Sequence, residues 1–230
     1  MPFDTRPTET LYSQPLFAPE TRVRRRHLAR ALKRGFDLAV GAALLVPVGG
    51  LVAGLALLIR VMDGQDAIFW HERIGRDGRR FRCFKLRTMV KAADVKLAEI
   101  LASDPRAAEE WRLTHKLVDD PRITPLGRFL RRTSLDELPQ LWNVLRGDMS
   151  LVGPRPIVEE ERARYGDDFI YYLAVTPGIT GLWQVSGRNQ VSYEERVQLD
   201  RCYAETWSFW LDLRILVRTV SVVLSRRGAH

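Results

Sequence analysis

An uncharged run of 22 residues, from Leu38 to Ile59, places the strongest constraint on how this chain can fold. As an α-helix the run would extend about 33 Å at about 1.5 Å per residue, long enough for the hydrocarbon core of a bilayer. A buried helix of a water-soluble protein is the alternative, but such helices rarely stay apolar on every face over this length. A secretory signal fits poorly, because the run is too long and no A-x-A-like cleavage site follows it.

Pro47 interrupts this run near its middle, with Gly49 and Gly50 just beyond. Proline lacks the N–H that would bond the carbonyl of Ala43, so a bend is expected there. Both flanks are cationic, and cationic flanks tend to stay in the cytoplasm. We therefore favour a re-entrant helix-break-helix bent near Pro47 over a kinked span. The flanking cations are Arg22, Arg24, Arg25, Arg26, Arg30, Lys33 and Arg34 on one side, and Arg60, Arg73, Arg76, Arg79, Arg80, Arg82, Lys85 and Arg87 on the other.

The membrane segment divides the chain into three predicted regions. We expect residues 1–30 to form a disordered basic tail, residues 31–60 the re-entrant hairpin, and residues 61–230 a cytoplasmic domain. The 230 residues carry a net charge of +8, which favours anionic partners such as nucleic acid, phosphorylated metabolites or a membrane surface. Cys83 and Cys202 are the two cysteines and form no C-x-x-C pair, so neither a disulfide framework nor a zinc site is expected.

Downstream of the apolar run the pattern predicts an α/β body, mostly α-helical with a small β-hairpin. Residues 67–70 and 80–86 have strand composition and flank a turn at 75–78 that contains Asp-Gly. Helix formers dominate from residue 91 to residue 116, with a break at 104–105. Thr124 before Pro125 is typical of a helix start, which predicts a short helix over residues 126–132.

Two adjacent carboxylates, Asp136 and Glu137, lie in the segment that carries the most chemistry. Ser134 and Glu137 have the spacing of a capping box, which predicts a helix that starts at Leu135. Pro139 fits that register poorly, and a start nearer Leu138 is the second register. In either register the acids lie at the positive end of a helix, beside N–H groups that can hold phosphate. A plain helix cap is the competing interpretation. Arginines on both sides favour an oxygen-rich ligand: Arg128, Arg131, Arg132, Arg146 and Arg155.

Two further elements are predicted near the C-terminus. Leu182–Val185 is expected to be a short strand between glycine-containing turns. In the last helix Leu213, Leu216, Val220 and Val223 share a face, widened by Trp210, Val217 and Leu224, opposite Arg214 and Arg218. This pattern predicts an amphipathic helix in the membrane interface, with packing on the protein core as the equal alternative.

Three ordered strings give a specific resemblance. They read KLRTM at residues 85–89, TSLDELPQLWNVLRGDMSLVGPRP at 133–156 and PGITGLWQVSGRN at 177–189. Together they resemble the bacterial sugar transferase family, the monotopic polyprenyl-phosphate phosphoglycosyl transferases, from about Lys33 to the C-terminus. The closing region looks most like the short exopolysaccharide-initiating members, which transfer galactose 1-phosphate to undecaprenyl phosphate. A glucose 1-phosphate transferase and a non-catalytic membrane-anchored assembly protein remain as alternatives.

The resemblance implies a role for each candidate residue. Asp136 would attack the β-phosphate of a UDP-sugar, expel UMP and carry the sugar phosphate until undecaprenyl phosphate accepts it. Glu137, with Asp136, would bind Mg²⁺. The implied phosphate-binding residues are Lys85, Arg87, Arg131 and Arg155, and we expect Gln184 and Arg188 to contact the nucleotide sugar. The implied setting is the cytoplasmic face of a bacterial inner membrane, with membrane lipids as partners, no nucleic acid and a homo-oligomer as a possibility.

Overall fold

The computed structural model describes residues 19–114, 117–187 and 191–225, with side chains described for 28–112, 117–187 and 191–222. It is mostly helical, with two small sheets. The elements in chain order are α1 (Pro19–Asp63), β1 (Ile68–Ile74), β2 (Arg80–Leu86), α2 (Ala93–Ser103), α3 (Pro105–Thr114), α4 (Pro125–Thr133), α5 (Gln140–Arg146), β3 (Ser150–Val152), α6 (Phe169–Leu173), β4 (Gly178–Thr180), α7 (Leu182–Val185), α8 (Tyr193–Thr206) and α9 (Phe209–Ser225).

Helix α1 is one element of 45 residues that contains Pro47. The predicted helix-break-helix therefore differs from the structure, in which Pro47 does not divide the helix. A proline inside a helix removes one backbone hydrogen bond, and the helix continues through Val48, Gly49 and Gly50 on its C-terminal side. The helix also includes residues 19–30, so this part of the predicted tail is helical, whereas residues 1–18 of that tail lie outside the described residues.

The N-terminal half of α1 is fixed to the globular body by buried polar contacts. Lys33 Nζ donates to the carbonyl oxygen of Val152 at 2.9 Å and to Asp212 Oδ2 at 2.5 Å. The guanidinium of Arg34 donates to the carbonyl oxygens of Val144 and Leu145 at the end of α5. These contacts join α1 to β3, α5 and α9.

The C-terminal half of α1 packs on the same body. Ile59 is fully buried in a cluster with Leu86, Leu126 and Leu130, and Val52, Leu55 and Ala56 border that cluster. At the last residue of the helix, Thr124 Oγ1 donates to Asp63 Oδ2 at 3.1 Å. Both ends of α1 therefore contact one body.

The outer surface of α1 is apolar and open. Val46, beside Pro47, is 82 % exposed, and Leu57 is 65 % exposed. The segment Leu28–Asp63 is long and apolar enough to cross a membrane, and 6 % of its most apolar 18-residue window is buried in the protein. A core helix of a soluble protein would bury most of that window, so the exposed surface agrees with a lipid environment.

Strands β1 and β2 form the predicted antiparallel hairpin, with Phe69 opposite Lys85 and His71 opposite Cys83. The turn contains Asp77 at φ 58° and Gly78 at φ 76°, a left-handed conformation that Asp-Gly adopts readily. Because side chains alternate between the two faces of a strand, one face of this hairpin carries only odd-numbered residues.

The helices around residues 91–133 also agree with the sequence. Helix α2 ends at Ser103 and α3 begins at Pro105, as the break at 104–105 predicted. Thr124 Oγ1 accepts the N–H of Gly127 at 2.9 Å and so caps α4. A side chain at Gly127 would collide with the backbone of Thr88, so α4 can approach the end of β2 only because residue 127 is glycine.

The C-terminal region contains one wrong prediction. Residues Leu182–Val185 form helix α7, and the strand is β4, just before them, which pairs in parallel with β3. The prediction failed because a run of four apolar residues is too short for its periodicity to distinguish a strand from a helix. The actual strand contains Gly178, whose N–H donates to the Pro154 carbonyl at 2.8 Å. A side chain at Gly178 would collide with the neighbouring backbone, so only glycine allows this approach.

Helix α9 combines the two predicted alternatives. Ile215 is 1 % exposed in the main core cluster and Asp212 accepts from Lys33, so one face packs on the protein. Trp210 and Val217 are each 72 % exposed on another face. The helix therefore docks on the body and also presents an apolar surface that suits the membrane interface. The side chains of Val223 and Leu224 lie outside the described part of the chain.

Candidate active site

Asp136 and Glu137 lie in a short 3₁₀ turn, Leu135–Glu137, between α4 and α5. The predicted capping box at Ser134 is wrong, because Ser134 is left-handed at φ 57° and its side chain caps nothing. Helix α5 begins only at Gln140, since Pro139 has no N–H for a helix interior and occupies the position before it. The second register, with both acids ahead of the helix, is closer to the structure.

Glu137 is held between two cations. Its Oε1 accepts from Lys85 Nζ at 2.7 Å and from Arg155 Nη1 at 3.1 Å. Lys85 Nζ also lies 3.9 Å from Asp136 Oδ2, so the lysine contacts both acids. Lys85 of the hairpin, the two acids of the turn and Arg155 of the loop are distant in sequence, yet their charged groups lie together in the structure.

The two carboxyl groups are in different electrostatic states. Burial raises the pKa of Asp136, and the adjacent Glu137 charge raises it further, while Lys85, Arg131 and Arg155 act in the opposite direction. Burial also disfavours ionised Glu137, but Lys85 and Arg155 outweigh it and lower its pKa to about 2. Glu137 is thus the more acidic member of the pair, and Asp136 carries the more basic oxygen.

Asn143 joins α5, which follows the two acids, to β2, which carries Lys85. It is fully buried in α5, where its Nδ2 donates to the Arg82 carbonyl at 2.7 Å and its Oδ1 accepts the Phe84 N–H at 3.1 Å. These two bonds tie the helix after the acids to the strand that carries Lys85. Sequence reasoning missed this residue, because an asparagine inside a helical pattern gives no signal of a long-range partner.

Arg155 reaches Glu137 from an irregular loop, as predicted. Gly153 donates its N–H to the Thr180 carbonyl at 2.8 Å, so the β3–β4 pair fixes the start of the loop. A side chain at Gly153 would collide with the backbone of Thr176. After the loop, Ile157 bridges to Ile74 of β1. The arginine is therefore held from both sides.

The other two predicted phosphate ligands differ in position. Arg131 Nε donates to Thr88 Oγ1 at 2.9 Å, and burial lowers the pKa of this arginine while the nearby Asp136 charge opposes that change. Arg87 donates instead to the Asp66 carbonyl at 2.7 Å and stacks on Phe69, so it belongs to the rim. The structure thus brings Lys85, Arg131 and Arg155 to the acids and leaves Arg87 at the edge.

These residues line a cavity of about 550 Å³, large enough for a nucleotide sugar. Gln184, for which we predict a nucleotide-sugar contact, lines this cavity together with Trp183, whereas Arg188 lies outside the described residues. Sequence reasoning missed His71 and Arg73, which also line the cavity. The two-residue period of the hairpin could have identified them, because the cavity-lining hairpin residues are all odd-numbered apart from Leu86: Phe69, His71, Arg73, Cys83, Lys85 and Arg87.

Asp136 and Glu137 are the oxygen donors that the site offers to a Mg²⁺ ion. Among the described side chains no group of three or more His, Cys, Asp or Glu is placed to hold a metal ion. Mg²⁺ sites that include substrate phosphates commonly use one or two carboxylates, and Asp136 and Glu137 supply two oxygen donors of that kind. The residues therefore fit a magnesium ion shared with a phosphorylated substrate.

Curated relatives were found over most of the chain. It is 54 % identical over 207 residues to a UDP-galactose-lipid carrier transferase of Erwinia amylovora, covering 89 % of this chain and 43 % of that protein. An undecaprenyl-phosphate galactose phosphotransferase of Salmonella typhimurium is 52 % identical, with 88 % and 42 % covered. The chain thus spans less than half the length of these two relatives. The exopolysaccharide production protein ExoY of Rhizobium meliloti is 44 % identical, with 95 % of this chain and 96 % of the relative covered.

A family model gives the same result. The model described as bacterial sugar transferase matches residues 28–226, a range that includes α1 from residue 28 onward, the acidic turn and α9. The matched range and the full-length relative agree with the three sequence strings. The chain therefore belongs to the bacterial sugar transferase family.

Proposed function

We propose that this protein transfers a hexose 1-phosphate from a UDP-sugar to undecaprenyl phosphate and releases UMP. The observation that carries the proposal is the buried Asp136–Glu137 pair, with Lys85 in contact with both acids and Arg131 and Arg155 beside them. The names of two relatives favour galactose as the sugar and an undecaprenyl lipid as the acceptor. The full-length relative favours a place in exopolysaccharide production.

In the first step an Asp136 carboxylate oxygen attacks the β-phosphorus of the UDP-sugar. The bond from that phosphorus to the bridging oxygen breaks, and UMP leaves with the electron pair. Lys85 and Arg131, beside Asp136, stabilise the negative charge on the attacked phosphoryl group. The raised pKa of Asp136 makes its ionised oxygen a better nucleophile, while Glu137 remains anionic and anchors Lys85 and Arg155.

In the second step a phosphate oxygen of undecaprenyl phosphate attacks the same phosphorus. The aspartyl bond breaks, and Asp136 is regenerated as a carboxylate. We propose that Glu137 and Asp136 also hold Mg²⁺ together with diphosphate oxygens. When bound, the ion supplies charge neutralisation for the phosphates.

An apolar groove supports a lipid acceptor. It encloses about 310 Å³ and is lined by residues of α1, by the hairpin and by Leu138 and Pro139, directly after the two acids. The α1 residues that line the groove lie on both sides of Pro47: Leu45, Val48, Gly49 and Val52. A polyprenyl chain in this groove would have its phosphate end near Asp136 and its other end at the membrane-facing helix.

We further propose that α1 bends at Pro47 while remaining one helix, and that it is re-entrant at the cytoplasmic face of the bacterial inner membrane. Lys33 and Asp63, 30 residues apart, both contact the same body, so neither end of the helix can lie across a bilayer from the other. Val46, near the midpoint, is the most exposed of the large apolar α1 side chains whose surroundings are described. These contacts support entry and exit on one side of the membrane.

Cysteine labelling of inner-membrane vesicles tests this topology. We replace the exposed Cys202 by serine and place single cysteines at Arg30, Val46 or Asp66. A membrane-impermeant maleimide should label Arg30→Cys and Asp66→Cys in inside-out vesicles, and Val46→Cys in neither vesicle orientation. Buried Cys83 should stay unlabelled in each case. Labelling of positions 30 and 66 from opposite sides would establish a span and contradict the re-entrant topology.

The released nucleotide tests the reaction itself. We expect the full chain in lipid nanodiscs, with undecaprenyl phosphate and Mg²⁺, to release UMP from UDP-galactose and to form lipid-linked sugar diphosphate. UDP-glucose, UDP-N-acetylglucosamine and UDP-glucuronate serve as the comparison panel. Release of UDP instead of UMP would show transfer of the sugar alone and contradict the aspartyl mechanism.

A further inference from the structure

We infer that Arg73 is an additional substrate-binding residue of this cavity and contacts the phosphate of the departing nucleotide. The inference rests on the proposed function, which already assigns phosphate contacts to Lys85, Arg131 and Arg155. Nothing in the sequence strings pointed to Arg73, which lies in β1 outside all three.

The hairpin register places Arg73 on the substrate side. Arg73 is opposite Phe81, two positions along the same face from His71, which is opposite Cys83. All of these residues have odd numbers, and Lys85 continues the same face. Arg82, by contrast, lies on the other face, exposed and stacked 4.4 Å over the Trp70 ring. The same hairpin therefore carries Arg73 on its cavity face and Arg82 on its opposite face.

The present contacts of Arg73 are long for a buried guanidinium. Its Nη1 lies 3.5 Å from Glu161 Oε2 and 3.5 Å from the Pro156 carbonyl, and its side chain is 18 % exposed. Glu161 is shared, because its Oε1 also accepts from Arg196 and Tyr193. Within the described residues the hydrogen bonds and ion pairs of Arg73 use Nη1 alone. A guanidinium has five N–H donors, so most of its capacity is available to a ligand.

A neighbouring cation adds to the positive charge at this position. Burial lowers the pKa of Arg73 and the Arg155 charge lowers it further, while the Glu161 carboxylate opposes both. Two guanidinium groups that repel each other beside a cavity provide a strong site for a phosphate, which bonds both in forked geometry. The same two arginines border a small space of about 10 Å³ with Lys85, Glu137 and Gln140.

The position of Arg73 relative to the nucleophile selects the phosphate. The small space at Arg73 is bordered by Lys85, Glu137 and Arg155 and not by Asp136, whereas Arg131 is close enough to Asp136 for that charge to affect its pKa. In an in-line displacement the leaving oxygen lies opposite the attacking one. A cation that borders the space beside Glu137 rather than Asp136 is therefore better placed for the UMP phosphate than for the attacked group.

The experiment compares Arg73→Met with Arg82→Met, which removes the same charge from the opposite face of the hairpin. Full-length protein in nanodiscs is incubated with UDP-galactose and labelled UMP without acceptor, and label entering UDP-galactose reports the first step alone. UMP binding is measured separately by calorimetry. We expect Arg73→Met to slow exchange about 10²-fold or more and to weaken UMP binding at least about 10-fold, with Arg82→Met within about 3-fold of wild type.

Two further readouts keep the inference falsifiable. If thermal unfolding shows that Arg73→Met does not fold, Arg73→Lys replaces it, with Arg82→Lys as its control. Lysine keeps the positive charge but cannot form the two parallel hydrogen bonds that a guanidinium makes to a phosphate. We therefore expect at least about 10-fold slower exchange for Arg73→Lys. UMP binding and exchange like wild type in the folded variant would overturn the inference. If wild-type protein shows no exchange, the proposed function itself fails, and the Arg73 role falls with it.

Discussion

Asp136→Asn is expected to reduce sugar-phosphate transfer about 10⁴-fold or more while the protein stays folded in the membrane. The amide keeps the shape of the side chain but cannot form the aspartyl bond, so both half-reactions are lost. The measurement is UMP release from UDP-galactose, followed by a test for label retained covalently on the protein. The matched control is Asp94→Asn, an exposed carboxylate that lines the same cavity, for which we expect less than about 10-fold loss.

The same pair of variants separates an enzyme from a membrane-anchored assembly protein. An assembly protein would support polysaccharide production equally well with Asp136→Asn and with wild type, since that role requires only the fold and the membrane contact. Substantial UMP release by Asp136→Asn would show that another group attacks the phosphate, and the mechanism proposed above would then be wrong.

Lys85→Met is expected to lower the rate about 10²- to 10³-fold near neutral pH and to change its pH dependence. Without Lys85, the 2.7 Å contact to Glu137 and the 3.9 Å contact to Asp136 are lost. Both carboxyl pKa values then rise, because this cation lowers each of them. Asp136 attacks as the ionised form, so the acidic limb of the rate profile should move to higher pH in the variant.

The control for this change is Lys91→Met, which removes an exposed lysine six positions further along the chain. It should leave both the rate and the profile near wild type. Rate profiles of Lys85→Met measured between pH 5 and pH 9 decide the question. A lower rate with an unmoved acidic limb would mean that Lys85 contacts substrate without setting the charge state of Asp136.

Local signals predicted the elements that local chemistry determines. The Asp-Gly turn, the break before Pro105 and the Thr124 cap each depend on interactions within a few residues, and the structure confirms all three. The uncharged run also predicted a long apolar helix. Its predicted division into two helices did not appear, because the one hydrogen bond that Pro47 removes does not end the helix.

The misses concern segments whose conformation depends on distant partners. Ser134 and Glu137 have the right spacing for a capping box, yet Ser134 terminates α4, and a 3₁₀ turn follows. Leu182–Val185 is helical because the three-residue β4 before it already supplies the strand beside β3. Neither outcome can be inferred from neighbouring residues alone.

The candidate site was predicted in part. The resemblance identified Asp136 and Glu137 and the cations that surround them, and the structure brings Lys85, Arg131 and Arg155 to those acids. The buried asparagine that ties α5 to β2 was not predicted, nor was the face of the hairpin that lines the cavity. Both depend on how strands and helices meet, which one sequence does not report.

The packing of α1 means that the membrane segment is not a detachable anchor. Phe36, Val40 and Val48 border the main core cluster, and Ile59 is fully buried in a second cluster. A cut at Gly64 would therefore open two parts of the interior at once. The placement of α1 and the folding of the body are a single property of this chain, and a fragment without α1 would lack part of its own core.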